Sequence, residues 1–541
     1  MAKTSWARGA LTAAAALAVL GLGACANSAT PEEGQPAETQ PAAQAEIPQA
    51  DGPRAAADRQ LAARQVSESA DGKSSVIDLD LGNVTAGEYS APLRGQVIVP
   101  KTAAASSPLV VISHLRAPNC SDNNFAYPCA AGAQENRYDR GMVYLGEALA
   151  AQGYAVLIPD LGGIFIGADV VEPYDQNAMW RETVGRLAQA LDERNAHEIL
   201  GVKLSAPIDM ANVGLVVHSR SGTIVEPAVE LFGEGNIKTV FAYGPSYDTV
   251  ELENISPVPA DISYLALVGD ADADVGPSAN LWLGHYIDAK RQNPASVVSV
   301  PGLGHMWVNR VASAANFDDR IGCDLRECPS ASEHERILTE IALDWLGATL
   351  LDAPTQLPLR ADQELPAQVA GVDARWLAHT PGAIASVGAK EFKAVSGESA
   401  KMCQHADPMN PVPMDNPCPE AEEGVVQILT PVNYLTDGKA QVKVEGAKGI
   451  ALQISPSGSY EGKGTAVTVV LSFQDGSEVA LQVPEDHPAL ANRAGAENNG
   501  IYQLGTVRIA LPEAANGKTI TAVHVTSDKH PVELRSVDFW K

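Results

Sequence analysis

Val213-Gly214-Leu215-Val216-Val217-His218-Ser219-Arg220-Ser221-Gly222 is the stretch from which the fold can be read. The apolar run Val213–Val217 is too short for a buried helix and has the β-branched content of a strand covered on both faces. Thr223–Phe232 follows with apolar residues at helical intervals. The chain therefore passes from a buried strand through a sharp turn, with Ser219 at its apex, into a helix.

Working outward, the same alternation repeats. Strands are expected at Pro108–Ser113, Tyr154–Pro159, Val240–Tyr243, Tyr264–Val268 and Ser296–Val300. Helical spacing marks Gly141–Gln152, Trp180–Glu193 and Glu333–Leu350. Strands apolar on both faces and separated by helices imply an α/β fold, a doubly wound and mostly parallel sheet covered on both sides. Such a sheet places its chemistry at the carboxyl ends of its strands.

Three of those ends carry reactive side chains. Ser219 sits after the strand ending at Val217. Gly269-Asp270-Ala271-Asp272-Ala273-Asp274 follows Tyr264–Val268, and Pro301-Gly302-Leu303-Gly304-His305 follows Ser296–Val300. A Ser in a strand-to-helix turn is also a common helix cap, and a lone His is commonly a core or surface residue. The order Ser, acid, His on successive loops favours catalysis. Ser219 would be the nucleophile, and His305 the base that takes its proton. Asp272 would orient the imidazole, with Asp274 and then Asp270 as alternatives. A calcium loop of the EF-hand type is excluded, because Val275 stands where Gly is needed and Leu281 where Glu is needed. Two backbone N–H groups would receive the oxyanion, one from Arg220 and one from Leu115 or Arg116 after Pro108–Ser113. Arg116 and Arg220 could instead meet an acidic substrate or balance nearby Asp. Ile164, Phe165 and Ile166 fit a pocket wall and core packing equally.

The segment Val217-His218-Ser219-Arg220-Ser221 resembles the Gly-x-Ser-x-Gly nucleophile elbow of α/β hydrolases, departing from it at Val217 and Ser221. Tyr144-Leu145-Gly146-Glu147-Ala148-Leu149-Ala150-Ala151-Gln152-Gly153-Tyr154, together with His218–Gly222, resembles the dienelactone-hydrolase, chlorophyllase and platelet-activating-factor-acetylhydrolase-like group. The Asn119–Cys129 loop and Asp272–Val275 look like those of secreted actinobacterial hydrolases with a β-rich extension. The resemblance covers about residues 95–350. It implies serine-ester hydrolysis through an acyl-enzyme, with a small-molecule or lipid ester as substrate and no cofactor.

The chain begins with Lys3, Arg8 and the apolar run Leu11–Leu22, an export signal over 1–24 shorter than a membrane span. Leu22-Gly23-Ala24-Cys25 resembles the lipobox of bacterial lipoproteins. It implies a lipidated Cys25 and an anchor on the extracytoplasmic face of the membrane, where multiple acyl chains would hold stably. Six cysteines remain of seven. In an oxidising compartment they fall into three local pairs: Cys120 with Cys129, Cys323 with Cys328, and Cys403 with Cys418. No Cys-x-x-Cys appears and no His lies at zinc-ligand spacing, so no metal site is expected. Residues 25–74 are rich in Ala, Pro, Glu and Gln and are expected to form a disordered tether. The catalytic domain is expected over 75–351.

Residues 352–424 read as a Pro-rich connection. From 425 to 541 the pattern changes to period two (QVKVEG, IALQIS, AVTVVLSF, EVALQV), with Gln474-Asp475-Gly476 as a hairpin turn. An antiparallel, jelly-roll-like β-sandwich is expected, with Trp540 in its core. It could dock cell-wall glycan or serve structurally, and the lack of an aromatic platform favours the structural role. The formal charge of −28 repels phosphate backbones and opposes nucleic-acid binding. Two further readings remain open: acyl transfer to an envelope sugar, and a degenerate scaffold whose β domain binds a ligand.

Overall fold

The computed structural model describes residues 59–103, 105–247, 261–276, 278–324, 326–404, 418, 430–456, 464–491 and 504–541. The expected export signal, Cys25, the expected tether up to residue 58 and the chain between Gln404 and Cys418 lie outside them.

Ten strands form the principal sheet: β1 (Gln65–Glu68), β2 (Ser74–Ala86), β3 (Tyr89–Pro100), β4 (Ser107–Ser113), β5 (Ala155–Pro159), β6 (Ile208–His218), β7 (Ile237–Tyr243), β8 (Ser263–Gly269), β9 (Ala295–Val300) and β10 (Arg375–Ala378). Their spatial order is β1-β2-β3-β5-β4-β6-β7-β8-β9-β10. The six strands from β5 to β9 are parallel, and antiparallel partners flank them at both ends. The doubly wound, mostly parallel sheet expected from the strand pattern is present.

Side-chain alternation explains the cover on both faces. In β4, Leu109 and Val111 enter one core with Val213, Leu215 and Val217 of β6. Val110 and Ile112 enter the opposite core with Val216. Helices α2 (Gly162–Val170), α3 (Gln176–Gln189), α4 (Val225–Phe232) and α5 (Ser278–His285) cover the first face. Helices α1 (Val143–Ala150) and α6 (Ala331–Leu350) cover the second. Each fully buried aliphatic side chain contributes about 1.5–3 kcal/mol, so these two layers dominate the stability of the sheet. Ser330 caps α6 by accepting the Glu333 N–H.

Three boundaries differ from the sequence reading. Arg59 pairs with Asp80 at 2.6 Å and β1 joins the sheet, so the last part of the expected tether belongs to the fold. The connection 352–424 is not merely loop: β10 extends the principal sheet through pairing with β9. Ala385–Gly388 and Ala400–Gln404 join strands of the second domain. Shortness hid these strands, because segments of four or five residues carry little periodic signal. The helix expected over Trp180–Glu193 is displaced to α3, which starts at the Asp175 cap.

The second domain is two antiparallel sheets facing across one core. Ile450, Leu452, Leu534, Val537 and Phe539 meet Val467, Val469, Leu471, Val523 and Val525 there. Trp540 is buried against Gly449, where a Cβ would collide with its ring. The β10 strand joins the two domains: Gln453 donates to the Ala378 carbonyl (3.1 Å), and the Ala378 N–H donates to Thr506 (2.8 Å). All three local disulfides expected from the sequence are formed. Among the described residues, no helix is long and apolar enough to cross a membrane.

Candidate active site

The chain leaves β4 for β5 on one side and later returns through β6 on the other. The strand order therefore reverses at β4 and β6, and the crevice outside their carboxyl ends is where such sheets bind ligands. Ser219 lies there, immediately after β6. Its φ is +59°, a left-handed conformation that costs an L-residue about 1–2 kcal/mol. A short 3₁₀ turn, Ser219–Ile224, leads from it into α4. The Ser219 carbonyl accepts the Ser246 N–H at 2.9 Å, which holds the strained residue from the adjacent loop.

Both departures from the small-residue elbow have physical explanations. Val217 is buried in the sheet core. The Ser221 hydroxyl, also buried, donates to the His114 carbonyl at 2.7 Å. The tight approach falls on Gly222 instead, where a Cβ would stand 2.9 Å from Pro245.

Asp272 and His305 meet at the ends of β8 and β9. Asp272 Oδ2 lies 2.9 Å from His305 Nδ1. Its Oδ1 accepts the N–H groups of Asp274 and Val275 at 2.9 Å and of Gly276 at 3.3 Å. Burial alone would raise this carboxyl. The His305 charge and hydrogen bond, with the backbone donors, outweigh burial and hold it below the usual carboxylate range. Burial would likewise push the His305 imidazole down, but Asp272 foremost, then Asp274 and Asp319, hold it up at about 8. Gly244, at φ +43°, makes room for the pair: a Cβ there would be 2.9 Å from Nδ1 and 3.0 Å from Asp272 Oδ2.

His305 is also anchored through its backbone. Its N–H and that of Met306 donate to Asp319 at 2.7 and 3.0 Å. His218, beside Ser219, donates from Nε2 to the His305 carbonyl at 3.1 Å, and the two rings lie 4.8 Å apart. Burial and the neighbouring His305 hold His218 neutral. The elbow and the histidine loop are thereby tied together. His305 Nε2 is buried with no hydrogen-bond partner among the described residues, and Asp274 Oδ2 stands 3.4 Å from it.

The remaining candidates divide. Asp270 accepts the Gly302 N–H and pairs with Arg326, so it braces a loop and does not face His305. The Leu115 side chain is buried with Tyr138 and Ala312. His114 accepts the Leu161 N–H at Nε2 (2.8 Å), so its Nδ1–H donates to the Leu115 carbonyl (2.7 Å). The Ser221–His114 bond brings this loop beside the elbow. As a first-turn residue, Arg220 has a backbone N–H outside the intrahelical ladder. The residue is exposed at the surface, and desolvation of its guanidinium, followed by the nearby Arg116 charge, lowers its basicity. Arg116 pairs with Asp169 at 2.6 Å and lies 4.6 Å from the Phe125 ring.

Phe125, in the Cys120–Cys129 loop, is 45% exposed beside Arg116. Ile164, Phe165 and Ile166 are buried in α2 and pack the core, with the Phe165 ring 6.0 Å from that of His114. Asp319, His218 and Gly244 escaped the sequence reading as functional neighbours. Asp319 carries no motif, and its role depends on a loop that folds back onto His305 from 14 residues further along the chain. Among the described residues, no group of three His, Cys, Asp or Glu side chains is placed to hold a metal ion.

Among solved structures, the chain is similar to a putative dienelactone hydrolase from Klebsiella pneumoniae (16% identity, TM-score 0.30), covering 50% of this chain and 98% of that one. It is also similar to a ferulic acid esterase from Streptomyces cinnamoneus (15% identity, TM-score 0.32), covering 58% and 94%. A third similar structure is a dienelactone hydrolase-like promiscuous phosphotriesterase from metagenomic libraries (14% identity, TM-score 0.32), covering 51% and 99%. No family model matches the chain, and no curated protein matches it.

Proposed function

We infer that the protein is a serine hydrolase of carboxylic esters, working through an acyl-enzyme on Ser219. The observations that carry this reading are the left-handed Ser219 at the strand-order reversal and an Asp272–His305 pair hydrogen-bonded at 2.9 Å, whose histidine loop is tied to the residue before Ser219 by the His218–His305 bond. A serine is held in that strained conformation only where the surrounding structure compensates for it, and such strain clusters at functional sites.

The chemistry follows from the pair. His305 Nε2 accepts the Ser219 hydroxyl proton as Oγ bonds to the ester carbonyl carbon. Asp272 keeps the opposite nitrogen protonated and stabilises the imidazolium. The Arg220 N–H, with that of Leu115 or Arg116, receives the oxyanion. The protonated His305 then gives its proton to the departing alcohol, and water reverses the sequence on the acyl-enzyme. The Phe125 rim suits an apolar or aromatic group on a small-molecule or lipid ester. Lipidation at Cys25 would hold the enzyme on the extracytoplasmic face of the cell membrane, and the β-sandwich would act as a structural support.

Hydrolysis of p-nitrophenyl esters of increasing chain length tests the reading. Turnover by the purified protein that is lost in Ser219→Ala supports it, and equal turnover by the two overturns it. Incorporation of an alkynyl palmitate analogue into cells expressing the wild type but not Cys25→Ser tests the anchor.

A further inference from the structure

Most catalytic histidines of this design need one carboxylate, at Nδ1. His305 has a second, on its other nitrogen. Asp274 Oδ2 stands 3.4 Å from Nε2, the atom that must accept the Ser219 proton. The ring is fully buried, so water does not compete freely for that position. Asp274 itself is 44% exposed at its side chain. Its backbone N–H is pinned to Asp272 Oδ1 at 2.9 Å, which fixes where the residue begins while leaving the carboxylate able to swing outward.

We propose that Asp274 is a positioning residue that holds a proton on His305 Nε2 in the free protein and releases it when substrate enters. The proposal rests on the hydrolase reading above. In the resting arrangement the imidazolium lies between Asp272 and Asp274 and cannot act as a base. When the Nε2 proton passes to Asp274 and on to solvent, the nitrogen lone pair is exposed. The Ser219 proton then transfers to it as the Oγ–carbon bond forms. Asp274 thus sets the pH at which the site becomes competent, and Asp272 sets the geometry.

The other groups around His305 favour the same resting state. Asp319, from the loop after Arg310–Ala314, accepts its N–H and contributes a third carboxylate. His218, from the end of β6, is kept neutral by burial and by His305, so it opposes the charge little. Tyr243, at the end of β7, is held in its neutral form by burial and donates to the Gly304 carbonyl at 2.5 Å. Arg320 is engaged by Asp318 and the Trp307 ring. Arg116 acts on Asp274 from the loop after β4, while burial raises the Asp274 carboxyl.

The test is the pH profile of kcat/KM for p-nitrophenyl acetate between pH 5 and 9.5, for the wild type, Asp274→Asn and Asp274→Glu. Removing a carboxylate at this distance is expected to move the rising limb of Asp274→Asn down by about 1 pH unit. On the acid side kcat/KM then increases about tenfold, because the base fraction falls tenfold per pH unit below the limb. Asp274→Glu keeps the wild-type limb. The Asp274 side chain accepts no hydrogen bond among the described residues, so Asn is readily accommodated, and Asp274→Ser serves as a second neutral variant. Ser219-dependent turnover with an unmoved or raised limb in the neutral variants overturns the role of Asp274 and leaves the hydrolase reading standing. Turnover unaffected by Ser219→Ala overturns both.

Discussion

Asp272 Oδ2 and His305 Nδ1 are 2.9 Å apart, buried, and supplied by loops after adjacent parallel strands. Register between β8 and β9 therefore translates directly into the geometry of the pair. The carboxylate's other oxygen is occupied by three backbone N–H groups, so it has one orientation.

Replacing that carboxylate should cost rate and shift the profile at once. Asp272→Asn is expected to lower kcat about 10⁴-fold, through the wrong tautomer of His305. Its residual activity should begin at lower pH than in the wild type, because the main support for the His305 charge is gone. In the wild type, His305 is held at about 8, so activity should rise as pH increases through that value. Steady-state kinetics across pH on both proteins measures this.

Strain at Ser219 should be visible in stability. Ala keeps a Cβ at φ +59°, whereas Gly does not suffer there. Ser219→Gly is expected to be more stable than Ser219→Ala by about 1 kcal/mol. Denaturant unfolding of the two inactive variants compares them without interference from substrate.

The Ser221 hydroxyl ties the elbow to the His114–Arg116 loop, which we propose supplies the second oxyanion donor. Ser221→Ala leaves the buried His114 carbonyl without this donor, a loss of about 1–2 kcal/mol. A lower melting temperature and a fall in kcat larger than any change in KM are expected, since the bond positions a donor used in the transition state.

The Cys120–Cys129 link closes a loop of about ten residues, a constraint of roughly 2–3 kcal/mol in the chain-entropy view. Cys120→Ser with Cys129→Ser should raise KM for esters with bulky acyl groups more than for acetate, because the loop carries the exposed Phe125 against Arg116, the ring we propose meets the substrate. A chain-length series on the double variant reads this out.

Much of this was legible in the residues. Val213–Val217, Tyr264–Val268 and Ser296–Val300 are apolar on both faces, so their placement in a covered parallel sheet followed from period and length. With those strands placed, the loops bearing Ser219, Asp272 and His305 had to lie at one end. The preference for Asp272 over Asp270 agrees with the hydrogen bond to His305 Nδ1. What was not legible depends on long-range packing. Arg375–Ala378 is a strand only because β9 offers it an open edge. Asp319 matters only because its loop folds back under His305. By sequence Asp274 is a rival to Asp272, and its place at Nε2 follows from the curl of the loop around the Asp272 carboxylate.

The most direct test of the central claim is reaction of the purified protein with a fluorophosphonate, followed by mass spectrometry of its peptides. A single adduct mapped to Ser219, slowed on the acid side of about pH 8 and absent from Ser219→Ala, is the expected result. An unmodified Ser219 at every pH, or equal labelling of the wild type and Ser219→Ala, would contradict a nucleophilic role for this serine.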